Sequence, residues 1–367
     1  MADLKTIYIV AGGTGGHVFP AKRVAQKYLN NGFKINWIGT SRGPEKKICK
    51  DLGINFIQVP LYGFRGKGFF TKLKALIAFI LSGLIFIFYS NPFNKQNSPM
   101  LVFGGYVSLI AFFYFKGPVF LQEQNTIPGS VSRLLLSTNK VSKIFCGFEK
   151  TKNFFEKYEK NFIDLINTGN PVGKIKEKEN SLNNSSCLKV LVLGGSQGSM
   201  FLNELIPETF KEFIENNSLE VKHQSGYKNE TKVKDNYSTF IGEVTVQAFI
   251  EDIESAYQWA DIIICRSGAL TVSEIIASRS VGVFVPIKVS IDDHQKENAS
   301  YLSSLDAAWL LEESENFKNE LRELLVEIIN NKNLIYEKRE NIKKIELKDA
   351  ESIIFNEINA FPLFSII

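Results

Sequence analysis

Two doubly wound parallel-sheet α/β domains are the architecture this 367-residue sequence predicts, and three observations predict it. Short apolar runs alternate with segments long enough for helices, the pattern of a parallel sheet covered on both faces. A strand–glycine–helix motif, "TIYIVAGGTGGHVFPA" at residues 6–21, returns in altered form as "LKVLVLGGSQGSMFLNE" at 188–204, so one architecture is repeated. The length suits two cores rather than one.

In chain order, the runs "TIYIVA", "KINWIG", "INFIQVP", "MLVFGG", "PVFLQEQ" and "VSKIFCGF" read as buried strands of the first domain. Between the third and fourth lies "ALIAFILSGLIFIFYSNPFN", residues 75–94, which carries no charge. Its strongly apolar part, Ala75 to Tyr89, falls short of the ~20 residues that cross a bilayer, and crossing would split one sheet. A helix half in the core and half at a membrane interface is expected, with Arg65, Lys67, Lys72 and Lys74 placed for anionic headgroups. A wholly buried helix is the alternative. Residues 167–188 turn rich in Asn, Ser, Gly and Lys, and Pro171 moves Asn170 out of helical geometry, which marks a linker. The first domain is therefore placed at 1–167 and the second at 168–339. Second-domain strands follow at "LKVLVL", "LEVKHQSG", "STFIGEV", "ADIIIC" and "VGVFVPI".

Composition removes several function classes. Lys and Arg exceed Asp and Glu by a net charge of only +4, too little for a general nucleic-acid binder. The cysteines at 49, 146, 187 and 265 form no CxxC pair, and "MADLKTIYIV" lacks a signal-peptide pattern, so a reduced, cytoplasmic protein is expected.

A glycine turn between strand and helix exposes N–H groups and the positive end of the helix dipole, which suits a phosphate. Close helix–strand packing is the other reason for such glycines, but two matched copies favour an anion. Neither copy has GxGxxG spacing, "WIGTSRG" offers no acidic residue for a ribose diol, and GxxxxGK[ST] does not occur. Nicotinamide-cofactor and P-loop readings therefore lack their motifs. There is no DxD motif, and the three histidines are not spaced as ligands, so no metal or other cofactor is expected.

Taken together, "AGGTGGHVFPA", "GGYVS" (104–108), "EQN" (123–125), "TGNPV" (168–172), "GGSQGS" (194–199), "HQSG" (223–226) and "CRSGALTVSE" (265–274) closely resemble the MurG family of bacterial peptidoglycan glycosyltransferases. The resemblance implies a GT-B fold: two Rossmann-like domains, an interdomain cleft, and a C-terminal helix at about 340–367 returning to the first domain. It implies inverting transfer of N-acetylglucosamine from UDP-N-acetylglucosamine to the muramyl C4 hydroxyl of lipid I, giving lipid II, at the cytoplasmic face of the bacterial cell membrane. UDP-N-acetylglucosamine, lipid I and an anionic membrane surface are the implied partners. Rival readings are another UDP-sugar transferase of this fold, a UDP-sugar epimerase, and a non-catalytic UDP-sugar-binding subunit.

The resemblance also implies residue roles. In "RSGALTVSE" a helix opens at about Ala269, where Ala269, Leu270 and Thr271 would hold the donor diphosphate and Glu274 the two ribose hydroxyls. Ser196 joins the donor site, and Ile250 stands beside the uracil or, alternatively, in the core. His294 and Gln295 are both named for the donor sugar, because the loop before them leaves the register open. Gly13, Thr14, Gly15, Gly16 and Tyr106 are assigned to the acceptor diphosphate, with Thr14, Gly15, Gly16 and Asn125 also contacting the donor. His17 would take the acceptor proton, with Glu123 and Asn125 competing for or sharing that role; a histidine that merely caps the turn is the alternative. Many relatives carry an arginine where this chain has Gly173, and Lys174 is the candidate substitute cation.

Overall fold

A computed structural model describes residues 5–41, 43–61, 69–89, 98–138, 140–158, 163–178, 187–195, 197–288 and 293–362. The chain packs as two units, residues 1–173 with 348–367, and residues 174–347.

The first unit runs β1 (Thr6–Val10), α1 (Gly15–Asn30), β2 (Lys34–Gly39), α2 (Glu45–Leu52), β3 (Asn55–Gln58), α3 (Phe69–Tyr89) and β4 (Met100–Val102). A single 3-10 turn (Tyr106–Ser108) leads to α4 (Leu109–Tyr114), β5 (Val119–Glu123), α5 (Ser130–Leu136), β6 (Val141–Cys146), α6 (Glu149–Tyr158) and β7 (Asp164–Asn167). Its seven strands are parallel in the order β3-β2-β1-β4-β5-β6-β7. Successive side chains leave a strand on opposite faces, so Ile7 and Ile9 join a core with α1 and α2 while Tyr8 and Val10 join another with Phe86, Ile110 and Phe155. Burial on both faces is why these strands read as continuous apolar runs.

The second unit runs β8 (Leu188–Leu193), α7 (Met200–Glu215), β9 (Leu219–Gln224), α8 (Glu230–Tyr237), β10 (Val244–Gln247), α9 (Ile253–Trp259), β11 (Ile262–Cys265) and α10 (Ala269–Ser278). It continues through β12 (Gly282–Phe284), α11 (His294–Ser303), β13 (Trp309–Leu310), α12 (Phe317–Asn330) and α13 (Asn333–Lys343). Its parallel sheet has the order β10-β9-β8-β11-β12-β13. The last helix, α14 (Ala350–Asn359), packs in the first unit, where Phe355 meets Tyr28 and Phe33 at ring-centroid distances of 4.9 and 5.8 Å. Lys143 pairs with Glu357 at 2.7 Å on the same helix.

Three boundaries differ from the sequence reading, each for a local reason. Residues 168–173 stay in the first unit, because Thr168 donates to Cys146 O (3.1 Å) and Asn170 bonds Gln122 and Gln124. The return to that unit begins at Lys348, not near 340, because Arg279 donates to the carbonyls of Ile342 and Ile345 and holds them in the second unit. "STFIGEV" is mostly turn: Ser238 caps α8, Gly242 has φ +154°, and β10 starts only at Val244.

Helix α3 is half core and half exposed. Ala78, Ser82 and Phe86 are buried, whereas Ile77, Ile80, Leu81 and Leu84 are each about half exposed (51, 50, 47 and 58%) at the spacing of one helix face. Lys74 is exposed; Arg65, Lys67 and the Lys72 side chain lie outside the described residues. Among the described residues no helix is long and apolar enough to cross a membrane.

Candidate functional site

Strand order reverses between β1 and β4 in the first unit and between β8 and β11 in the second. Ligands of open parallel sheets bind at such reversals, beyond the carboxyl ends of the strands. The four strand ends concerned carry "AGGTGGH", "GGYVS", "GGSQGS" and "RSGALTVSE". Topology thus gathers into two places motifs that the sequence spreads along most of the chain.

At the first reversal Gly13 turns the chain from β1 into α1 with φ +92°. Glu45, fully buried at the start of α2, accepts from Gly13 N (3.2 Å), Thr40 N (3.0 Å) and Thr40 Oγ1 (2.8 Å). Gly13 therefore supplies the bend while its N–H is held by Glu45. Thr14 precedes α1 in extended geometry and is exposed. The N–H groups of Gly15 and Gly16 lie in the first turn, where no intrahelical acceptor reaches them, and that turn holds no acidic residue to offset the dipole. Gly16 has no positive φ, and a β-carbon there would meet nothing nearer than Thr14 Oγ1 at 3.8 Å. Neither backbone geometry nor packing inside the protein asks for glycine at 16.

The His17 ring lies against Gly104 and Gly105. β-Carbons at those positions would sit 3.5 Å from its Cε1 and 3.4 Å from its Nε2, and both glycines have positive φ. His17 Nδ1 is 3.0 Å from Gln124 Oε1. Tyr106 reaches the same turn, its hydroxyl 3.6 Å from the β-carbon position of Gly13. Glu123 is 2% exposed, and its oxygens accept from Asn125 N (3.0 Å), Asn125 Nδ2 (3.1 Å) and Gly129 N (3.1 Å). That carboxylate organises its own loop. Asn125 is fastened by the same bonds and by Thr151 Oγ1 donating to its carbonyl (2.7 Å).

At the second reversal the glycines have mixed causes. β-Carbons at Gly198 and Gly226 would collide with Ser225 O and with the Gly198 backbone, so "GGSQGS" and "HQSG" interlock as two turns. His223 is fully buried between Tyr237 OH (3.1 Å) and Asn203 Oδ1 (3.0 Å), and burial pushes its pKa down to about 3, so it is a neutral structural tie. Gln224 Oε1 accepts from Ile250 N (3.1 Å), which fixes that buried residue in the loop after β10. Ser196 lies outside the described residues.

Helix α10 opens at Ala269, as expected, with Gly268 at its N-cap and no side-chain cap. The first-turn N–H groups of Ala269, Leu270 and Thr271 thereby have no intrahelical acceptor, the arrangement that suits an anion. Gly268, like Gly16, has ordinary φ (−62°) and open space around its β-carbon position. Ser267 Oγ donates to Gln295 O (2.7 Å) and Asn298 Nδ2 to Ser267 O (3.2 Å), which brings the start of α11, with His294, beside the start of α10. Gln295 Oε1 accepts from Ile287 N (3.2 Å). Glu274 accepts from the buried Tyr257 hydroxyl at 2.8 Å; burial first, and the nearby carboxylate second, raise that hydroxyl's pKa, so it stays a donor. Arg266 joins the loops by donating to Ser199 Oγ (3.0 Å), Val285 O (3.0 Å) and Glu313 (2.8 Å).

Gly173 has φ +77°, donates to Glu351 Oε1 (2.9 Å), and leaves its β-carbon position 2.9 Å from the Arg23 guanidinium, so a side chain at 173 would be strained here. Lys174 is exposed. Residues that sequence reasoning missed are Glu45, Gln122, Gln124, Asn170, Tyr257 and Arg266. Gln124 stood inside the quoted "EQN", and Asn170 inside "TGNPV".

Among known proteins, the family model described as the glycosyltransferase family 28 N-terminal domain matches residues 7–144, and that of the family 28 C-terminal domain matches residues 189–354. A UDP-N-acetylglucosamine–N-acetylmuramyl-(pentapeptide) pyrophosphoryl-undecaprenol N-acetylglucosamine transferase of Shewanella halifaxensis is 37% identical over 323 residues, 84% of each chain. The enzyme of the same name from Psychromonas ingrahamii is 34% identical over 368 residues, covering 98% of this chain and 99% of its own. The crystal structure of Acinetobacter baumannii MurG superposes with a TM-score of 0.76 at 27% identity, covering 97% of this chain and 99% of that one. The two parallel-sheet domains described above match that structure and are of the GT-B type. The chain belongs to glycosyltransferase family 28, within its MurG group of N-acetylglucosamine transferases.

Proposed function

We propose that this chain transfers N-acetylglucosamine from UDP to the muramyl C4 hydroxyl of an N-acetylmuramyl-(pentapeptide) pyrophosphoryl-undecaprenol, with inversion. The observation that carries the reading is the pair of sheet reversals. Each ends in a helix whose first-turn N–H groups are open and whose start holds a glycine, Gly16 or Gly268, without internal cause. Two such nests suit two diphosphates, one on each substrate. His17 Nε2 takes the proton of the attacking hydroxyl as its oxygen bonds the anomeric carbon and the bond from that carbon to UDP breaks. The N–H groups of Ala269, Leu270 and Thr271 stabilise the charge gathering on the departing diphosphate. Glu274 holds the ribose, Ile250 lines the uracil, and Ser196, His294 and Gln295 complete the donor site. Thr14, Gly15, Gly16 and Tyr106 receive the acceptor diphosphate, and Asn125 shares the donor contact. These groups stabilise the reacting charges without a metal.

The test is UDP release from UDP-N-acetylglucosamine with and without a short-chain acceptor analogue. Release that requires the acceptor is expected. Hydrolysis or epimerisation in its absence would favour the rival readings.

The exposed Ile77, Ile80, Leu81 and Leu84 supply an apolar face next to the exposed Lys74, which supports docking of the first unit on an anionic membrane surface at the cytoplasmic leaflet. Flotation with anionic liposomes should carry the wild type upward, and Leu81→Asp with Leu84→Asp should abolish it. Equal flotation of both proteins would refute docking through α3.

Gly16→Ala separates stability from function. Because the backbone there accepts alanine without strain, thermal stability should hold or rise by ~0.4–1 kcal/mol. The KM for the acceptor should rise ~10–100-fold, the equivalent of one charge-assisted hydrogen bond. Unchanged acceptor KM would free Gly16 of any ligand.

A further inference from the structure

Three buried amide side chains form a polar chain that ends on His17, and its direction follows from one fixed point. A backbone carbonyl only accepts hydrogen bonds. Asn170 Nδ2 donates to the Gln124 carbonyl at 2.9 Å, so the Asn170 oxygen faces the other way, toward Gln122. Gln122 must then donate through Nε2 to Asn170 Oδ1 (3.0 Å) and turn its own oxygen toward Gln124. Gln124 Nε2 donates to that oxygen and faces two further acceptors, the carbonyls of Phe103 (3.1 Å) and Gln122 (3.0 Å). Only the Gln124 oxygen is left for His17 Nδ1, 3.0 Å away. Because that oxygen cannot donate, Nδ1 carries the proton and Nε2 keeps the lone pair. Gln122, Gln124 and Asn170 are 0, 2 and 6% exposed, so water does not offer an easy alternative partner, and flipping any one amide would set acceptor against acceptor.

We propose that Asn170, Gln122 and Gln124 are positioning residues that lock His17 in the Nδ1–H tautomer, so that Nε2, beside Gly105, is the nitrogen that accepts the substrate proton. The opposite tautomer, which histidine favours in water, carries a proton at Nε2 and could not act as a base there. The proposal rests on His17 being the base, but the lock can be tested apart from that.

The test is 15N spectroscopy of the histidine rings in the full chain at a pH where His17 is neutral. There are three histidines, and His17 is identified by the signals lost in His17→Ala. The wild type should show a protonated Nδ1 and an unprotonated Nε2. Gln124→Met, similar in size but without the acceptor, should shift the ring toward Nε2–H and lower kcat ~10–100-fold with the KM for UDP-N-acetylglucosamine unchanged. An Nε2–H ring in the wild type overturns the proposal, even if Gln124→Met fails to fold. So does a Gln124→Met protein with tautomer and kcat unaltered. Wild-type turnover by His17→Ala would instead overturn the base role while the tautomer result stands.

Discussion

His17→Ala should lower kcat by ~10²–10⁴-fold, the range that a positioned general base contributes. The ring is partly buried and bonds a single side chain through Nδ1, so its removal opens no core cavity, and the stability lost should be no more than the ~1–3 kcal/mol of leaving the buried Gln124 oxygen without its partner. Substrate binding should persist, because the diphosphate nest is built from backbone N–H groups. The loss should therefore appear in kcat, with KM for both substrates near wild type. Glu123→Gln should behave differently: its acceptors bind the loop at 125–129, so the damage should appear as lost stability alongside lost turnover. A His17→Ala enzyme within a few-fold of wild type would remove proton transfer from this residue.

Glu274→Ala should raise the KM for UDP-N-acetylglucosamine by ~10–100-fold, because hydrogen bonds to a charged partner contribute ~1.5–3 kcal/mol. The single substitution also strands the buried Tyr257 hydroxyl, which costs stability by itself. Tyr257→Phe combined with Glu274→Ala leaves no such orphan and isolates the ribose contact. A donor lacking the ribose 2′-hydroxyl completes the cycle: the wild type should discriminate against it, and the double variant should not. Equal discrimination by both proteins would show that Glu274 does not hold the ribose.

Much of this arrangement could be read in the chain because parallel strands, buried on both faces, announce themselves. "TIYIV" and "LKVLVL" are strands for that reason, and the glycines after them could only be turns. β7 and β13 escaped notice, being short and only partly buried at sheet edges. The exposed half of α3 was legible because fifteen apolar residues are too few for a span and too many for one buried stripe. What stayed hidden depends on strand order. Gln122 in β5 and Gln124 just past it meet Asn170 from beyond β7 and His17 from the first turn of α1, a meeting no spacing reveals. Glu45 looks like an ordinary first-turn acid until β2 and the glycine turn close over it. Glu123 shows the opposite case: its motif neighbours suggest chemistry, while its three N–H partners lie within six residues.

The central claim is that each unit holds one diphosphate, the nucleotide's at α10 and the lipid's at α1. A crystal structure with UDP and a short-chain acceptor measures this directly. The account predicts UDP phosphates on the N–H groups of residues 269–271 and acceptor phosphates on those of Gly15 and Gly16. Both diphosphates in the second unit, or an empty turn at residues 13–16 in the occupied complex, would contradict it.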